Sequence, residues 1–143
     1  MIKIQPLKEN NFQRVLEIEK ELFQDPMTYR ELVDFTKQDC FKIWKMEINQ
    51  IIGYVSFFKI KNEIEIIKIG INKAYQGKGY GSCLINEMKK LEVNYIFLEV
   101  SVENIFAINF YFKNGFYKIG ERKRYYKQKD NSRIDALTLC LKI

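Results

Sequence analysis

Residues 75–82 read Tyr75-Gln76-Gly77-Lys78-Gly79-Tyr80-Gly81-Ser82 and stand between an apolar, strand-like run and an amphipathic, helix-like one. Three alternating glycines leave the backbone N–H groups of this turn unscreened by side chains. At a strand-to-helix junction those groups point where the helix N-terminus already favours negative charge, so the turn suits an anion, most often a phosphate. It also restricts the fold. A strand must precede it, a helix must follow it, and the next strand, Tyr95 to Val100, then pairs in parallel through a right-handed crossover.

The rest of the chain supplies the sheet. Ile2 to Gln5 reads as a short strand. Phe12, Val15, Leu16, Leu22 and Phe23 recur at helical spacing until Asp25-Pro26 breaks the pattern. Thr28-Tyr29-Arg30-Glu31 is a capping-box sequence that starts a second helix, running to about Thr36. Trp44, Met46 and Ile48 alternate with Lys45 and Glu47, the pattern of a half-buried strand. Asn49-Gln50 and Lys61-Asn62 are turn pairs that fold Ile51–Ile60 and Glu63–Ile71 into an antiparallel meander. After the glycine turn, Leu84, Ile85, Met88 and Leu91 stripe a helix from about Gly79 to Glu92. Asn104 caps a further helix that Asn114-Gly115 ends. Phe116–Gly120 and Arg133–Ile143 complete the sheet. The expected architecture is α/β: one mixed sheet of about six to seven strands, an antiparallel meander plus a central parallel pair, flanked by about four helices. No linker, repeat or low-complexity tract divides residues 1–143, so a single domain is expected.

The chain contains no histidine. That excludes histidine general bases, Ser-His-Asp and Cys-His triads and His-ligated zinc, and no metal is expected. Acid–base chemistry falls to Glu, Asp, Tyr, Lys or Cys. Cys40, Cys83 and Cys140 are odd in number, far apart and without a Cys-x-x-Cys pair, the pattern of reduced thiols in a cytoplasmic protein. No apolar run approaches the roughly 18–20 residues of a membrane span, and the N-terminus lacks the features of a leader. The formal net charge of +6 suits a polyanionic ligand or a nucleic-acid neighbour, or reflects a lysine-rich surface alone.

Two familiar phosphate loops do not fit. A Walker A loop needs four residues between its first glycine and Gly-Lys-Ser/Thr, and a dinucleotide fingerprint needs glycine where Ser82 stands. The pattern Gln76-x-x-Gly79-x-Gly81 instead resembles the acetyl-CoA pyrophosphate loop of the GNAT N-acetyltransferases. Phe97-Leu98-Glu99-Val100-x-x-x-Asn104, then Phe110-Tyr111 and Asn114-Gly115-Phe116, is similar to that family's second signature. Arg124-Tyr125-Tyr126 and Asp135-Ala136-Leu137 resemble one subgroup, the ribosomal-protein-alanine acetyltransferases (the RimI type), which acetylate protein N-termini.

The resemblance implies a role for each site residue. Acetyl-CoA is the implied cosubstrate. Gly77, Lys78, Gly79, Tyr80, Gly81 and Ser82 would hold its pyrophosphate mainly through backbone N–H groups. Asn104 would reach the cofactor as well as cap its helix. Gly70 interrupts the apolar run Ile67–Ile71 and marks either a bulge or a close backbone approach. In the family a bulge here splays two parallel strands, pantetheine bonds to backbone at Ile69 and Ile71, and the Ile71 N–H would face the oxyanion. Glu99 matches the catalytic glutamate and Tyr111 the proton donor to the departing sulfur. The plainer readings are a strand glutamate paired with a nearby lysine and a core aromatic among Phe106, Phe110 and Phe112.

Lys118, Arg122, Lys123, Arg124, Lys127, Lys129 and Arg133 form a basic stretch opposed only by Glu121 and Asp130. It reads as a solvated loop, as an RNA-contacting segment, or, by the resemblance, as one wall of a groove for a protein N-terminus. In the last case Tyr125 and Tyr126 line that wall, and Pro26 and Met27 form the other. Met27 departs from the aromatic common at its position. The expected activity is acetyl-CoA-dependent N-α-acetylation of a protein, a small-subunit ribosomal protein beginning with alanine being the implied acceptor. No membrane or nucleic acid is required. The rivals are an acetyltransferase for a small amine or a lysine side chain, and an RNA- or ribosome-binding module without catalysis.

Overall fold

The structure, a computed structural model, describes residues 1–143. Alternation and turn chemistry build its first half. Strand β1 (Lys3–Pro6) pairs antiparallel with β2 (Phe41–Ile48), β2 with β3 (Gln50–Ile60), and β3 with β4 (Glu63–Ile71). Asn49 and Lys61 turn the chain with φ of 61° and 54°, the left-handed conformation that tight hairpins require. Helices α1 (Phe12–Leu22) and α2 (Tyr29–Thr36) lie between β1 and β2 in sequence. The capping box at α2 is fully formed: Glu31 N–H donates to Thr28 Oγ1 and Thr28 N–H donates to Glu31 Oε1, both at 3.1 Å.

After the glycine turn come α3 (Tyr80–Lys89), β5 (Tyr95–Ser101), α4 (Ile105–Lys113), β6 (Tyr117–Lys127) and β7 (Arg133–Lys142). The seven strands lie in the order β1-β2-β3-β4-β5-β7-β6. The basic stretch differs from the solvated loop that sequence alone suggests. Most of it is β6, an edge strand paired with β7, and only residues 128–132 turn. Its lysines and arginines hide this, because an edge strand exposed on both faces needs no apolar alternation.

Apolar side chains pack on both faces of the sheet. Leu84, Ile85 and Met88 of α3 and Ile108 of α4 pack with Phe57, Ile64, Ile96, Leu98 and Leu139. Val15 and Ile18 of α1 and Leu32 of α2 pack with Ile43, Ile51 and Tyr54 on the other face. Each fully buried Leu, Ile or Met contributes about 1.5–3 kcal/mol, so the α3 stripe pins that helix with its N-terminus at the end of β4. No helix is long and apolar enough to cross a membrane.

Strands β4 and β5 are parallel and pair only at Glu63–Tyr95, Ile64–Ile96 and Glu65–Phe97. Beyond Glu65 and Phe97 they part. The cause lies in β4, where Phe57 faces Ile66 but Ser56 faces Lys68, leaving Ile67 as an inserted residue. The bulge is therefore at Ile67 and not at Gly70. Gly70 keeps regular register opposite Tyr54, and a Cβ there would sit 2.6 Å from Tyr54 Cε1. Its glycine serves the close approach of that ring.

Candidate active site

The gap between β4 and β5 opens into a cleft of about 540 Å³ that runs from Leu22 and Phe23 at the end of α1 to the glycine turn and α4. Strand alternation decides what β4 presents to it. Asn72 N–H donates to Ile52 O at 2.8 Å, so the N–H and C=O groups of Ile71 and Ile69 turn away from β3 toward the gap. Gln76 Nε2 donates to Ile71 O at 2.8 Å on that side. The glutamine side chain thereby ties the turn to the strand end.

Each glycine of the turn has its own physical reason. Gly77 and Gly79 have φ of 76° and 87°, and neither has an atom within 4 Å of where a Cβ would lie. Gly79 is the N-cap of α3 and offers no side-chain cap. The backbone N–H groups of residues 77–82 have no acceptor within the protein, and the first bond of the helix is Cys83 N–H to Gly79 O at 3.2 Å. Lys78 extends its ammonium over the Tyr75 ring at 5.8 Å, beside these donors. Gly81 is a packing glycine, because a Cβ there would meet Phe110 Cε1 and Cζ at 2.9 Å. Gly81→Ala should therefore destabilise the fold by about 1–3 kcal/mol, read as a lower urea midpoint. An unchanged midpoint would mean that Phe110 yields freely.

On α4, Asn104 Oδ1 accepts from Ala107 N–H at 3.2 Å, so the cap role is real, and the residue also lines the cleft. Tyr111 lines the cleft and is buried. Burial, with Tyr126 nearby, raises its phenol above the usual tyrosine value, which keeps it a proton-bearing donor. The aromatic crowd around it is not all core: Phe106 and Phe112 are exposed, and Phe106 lines the cleft.

Glu99 lies two residues beyond the last β4–β5 pair, past the point where the strands part. Leu98 and Val100 are buried toward α3 and α4, so Glu99 faces the side of the sheet that carries α1 and α2. Its carboxylate is half-buried and fully partnered. The side chain is 20% exposed, Oε1 pairs with Arg122 Nε at 3.1 Å, and Oε2 accepts from Thr138 Oγ1 at 2.8 Å. The plainer sequence reading, a strand glutamate with a basic partner, describes this geometry, with arginine in place of lysine. Tyr126, whose phenol is pushed up to about 12 by burial, by Tyr125 and by Glu99, completes the surroundings. Tyr125 and Tyr126 pack edge to face at 4.9 Å. Met27 does not wall a groove with its side chain, which is buried with α1 and α2. Its N–H donates to Glu19 Oε2 at 2.9 Å, leaving Pro26 as the more exposed residue of that turn.

The acetyltransferase (GNAT) family matches residues 8–116. The chain belongs to this family. Among relatives, the [ribosomal protein bS18]-alanine N-acetyltransferase of Haemophilus ducreyi is 27% identical over 142 residues, covering 96% of this chain and 98% of the relative. The crystal structure of the Escherichia coli ribosomal-protein-S18-alanine N-acetyltransferase superposes with a TM-score of 0.87 at 24% identity, covering 100% of this chain and 94% of that one. A spermidine N-acetyltransferase chimera of Vibrio cholerae SpeG and hSSAT superposes with a TM-score of 0.85 at 21% identity, covering 99% and 95%. The GNAT fold therefore carries more than one kind of acceptor.

Acetyl-CoA, the cosubstrate of GNAT enzymes, fits this cleft on its own chemistry. Unpaired N–H groups at a helix N-terminus match a pyrophosphate. The free edge of β4 at Ile69 and Ile71 matches the amide-bearing pantetheine arm. The volume falls within the range of about 300–1,000 Å³ usual for such sites. Of the residues expected to bind it, Ile69, Ile71, Gln76, Gly77, Gly79, Tyr80, Gly81, Ser82 and Asn104 line the cleft, whereas Gly70 and Lys78 do not. Sequence reading missed Leu22, Phe23, Phe106 and Lys113 as lining residues, and Arg122 and Thr138 as partners of Glu99. Amphipathic spacing assigned Leu22 and Phe23 to the core, aromatic crowding did the same for Phe106, and no local pattern marks Lys113 or Thr138 or singles out Arg122 within the basic stretch.

Proposed function

We propose that residues 1–143 form one N-acetyltransferase domain that transfers the acetyl group of acetyl-CoA to the N-terminal amine of a protein in the cytoplasm, with a ribosomal protein beginning with alanine as the acceptor. The observation that carries this reading is likeness along nearly the whole chain to a bS18-alanine N-acetyltransferase. Support comes from the acceptor side of the sheet, where Glu99, Tyr125 and Tyr126 gather beyond the parting of β4 and β5.

Acetyl-CoA supplies the thioester carbon that the amine attacks. An α-ammonium has a pKa of about 7.7–8.0 and must lose a proton before it attacks. Glu99 takes that proton, directly or through water. The Ile71 N–H, turned to the gap, donates to the thioester oxygen as it gains charge, a role worth about 2.7–4 kcal/mol in comparable sites. Tyr111 donates to the sulfur as the C–S bond breaks. In becoming an amide the ammonium gives up two protons: one balances the departing thiolate and one leaves through Glu99. Tyr111→Phe should lower kcat by about 10²-fold, the low end for a positioned acid, with the acetyl-CoA dissociation constant unchanged. Wild-type turnover would make Tyr111 a packing residue only.

The deciding experiment is an acetyl-transfer screen with peptides beginning Ala, Ser or Met, an N-terminally blocked lysine peptide, and spermidine. The Ala peptide should be the best acceptor. Turnover confined to the blocked lysine peptide or to spermidine would overturn the acceptor assignment, and no turnover with any of them would overturn the enzymatic one.

A further inference from the structure

We propose that Arg122 is a resident cation that occupies Glu99 in the free enzyme and is replaced there by the ammonium group of the acceptor. The inference rests on the reading of Glu99 as the base.

The two carboxylate oxygens of Glu99 are held differently. Oε2 accepts from Thr138 Oγ1 at 2.8 Å, an uncharged anchor directly opposite on β7. Oε1 holds Arg122 Nε at 3.1 Å, and the arginine side chain is 58% exposed. An ion pair this open to water is worth little and exchanges readily. Arg122 is the one charged group paired with Glu99. Tyr126 from β6 and Thr138 from β7 are the other neighbours, Tyr111 of α4 lies beyond Tyr126, and Lys123 pairs instead with Glu121 and Asp135.

Arg122 also has a contact that does not involve Glu99. Residues three apart on a regular strand face opposite sides. Here β6 slips register between Arg122 and Tyr126, and Arg124 adopts φ 54° with its N–H on Asp135 Oδ1 at 2.8 Å. This irregularity brings the Arg122 guanidinium to 5.1 Å from the Tyr125 ring, a cation–π contact made alongside the Glu99 pair that leaves a displaced guanidinium with a partner of its own.

Exchange of cations changes the chemistry. A guanidinium does not surrender a proton in a protein, so the resting pair is inert. An α-ammonium, with a pKa of about 7.7–8.0, does surrender one. Swapping one for the other converts a resting ion pair into a proton-transfer pair, with the proton passing from the amine nitrogen to Glu99 Oε1. Arg122 is thus a positioning residue that acts through Glu99 and sets how strongly an acceptor must compete for it.

The test is steady-state kinetics of Arg122→Gln and Arg122→Lys with an Ala-first peptide. Arg122→Gln should lower the peptide KM by about two- to five-fold, the span of an exposed ion pair, with kcat within twofold and the acetyl-CoA KM unchanged. Arg122→Lys should restore the wild-type KM, and in a Glu99→Gln background the effect of Arg122→Gln should vanish. A loss of kcat at constant KM would make Arg122 an orienting strut, a higher KM would make it a direct acceptor contact, and no change would make the pair incidental; each overturns the inference. Wild-type rates in Glu99→Gln alone would instead remove the base reading on which it stands.

Discussion

Glu99→Gln is expected to lower kcat by about 10²–10³-fold and to leave acetyl-CoA binding unchanged. Glutamine keeps the side-chain volume, and its carbonyl oxygen can still accept from Thr138 Oγ1. It cannot accept a proton from an ammonium at neutral pH, and it loses the charge that holds Arg122. At about 1.36 kcal/mol per decade, the expected loss is about 2.7–4.1 kcal/mol of transition-state stabilisation. Acetyl-CoA binding is spared because Glu99 is absent from the lining of the cleft that receives the cofactor. Its pH dependence identifies the role. Above pH of about 8 solvent deprotonates the amine without help, so the deficit shrinks between pH 7 and 9.5. CoA release measured across that range is the check. A kcat within threefold of wild type at pH 7 would remove Glu99 as the base.

Features written within a few consecutive residues were legible in the sequence. The Thr28–Glu31 box, the Asn104 cap and the left-handed glycine after Asn114 each close on partners no more than four residues away, so their chemistry is visible in a short window. The glycine turn is local too, and its donors stand at the helix start as expected. Non-local choices were not legible. Nothing in Arg133–Lys142 says that it inserts between β5 and β6. The bulge at Ile67 depends on register against β3, whereas the glycine at position 70 answers to the Tyr54 ring across the pair. β6 lacks an apolar face, so it carries no strand period. The partner of Glu99 is equally hidden, since basic residues around positions 118–133 are interchangeable until register selects Arg122. The family resemblance supplied Glu99 and Tyr111 as candidates because it carries three-dimensional information that periodicity lacks.

Packing of α1 on the sheet also creates a fully buried carboxylate, and its removal has the largest expected effect on stability. Glu19 on α1 is fully buried. Oε1 accepts the Tyr54 hydroxyl, whereas Oε2 accepts Lys68 Nζ and Met27 N–H, each at 2.9 Å. Burial, with the Glu19 charge adding, raises the Tyr54 phenol far above its usual value, so it remains a donor to the carboxylate. Lys68 also lies 4.5 Å over the Phe23 ring, which lines the cleft. Glu19→Ala strips all three donors at once and should cost about 3–5 kcal/mol, the usual result of breaking a buried pair from one side. Against a typical total of about 5–15 kcal/mol, this variant is close to unfolding. Urea denaturation measures it, and a loss under about 1 kcal/mol would show that water replaces the carboxylate. Glu19→Gln keeps an acceptor but turns an amide donor against the donors, so it should fold with reduced stability. In that variant the Met27 N–H loses its charged acceptor, and the turn between α1 and α2 relaxes. The peptide KM should therefore rise while the N–H groups that face the pyrophosphate, more than fifty residues away in sequence, stay in place. On this reading the acceptor side is held at opposite ends: Glu19, remote from the reacting atoms, fixes one wall, and Arg122 sits on the carboxylate the acceptor must reach.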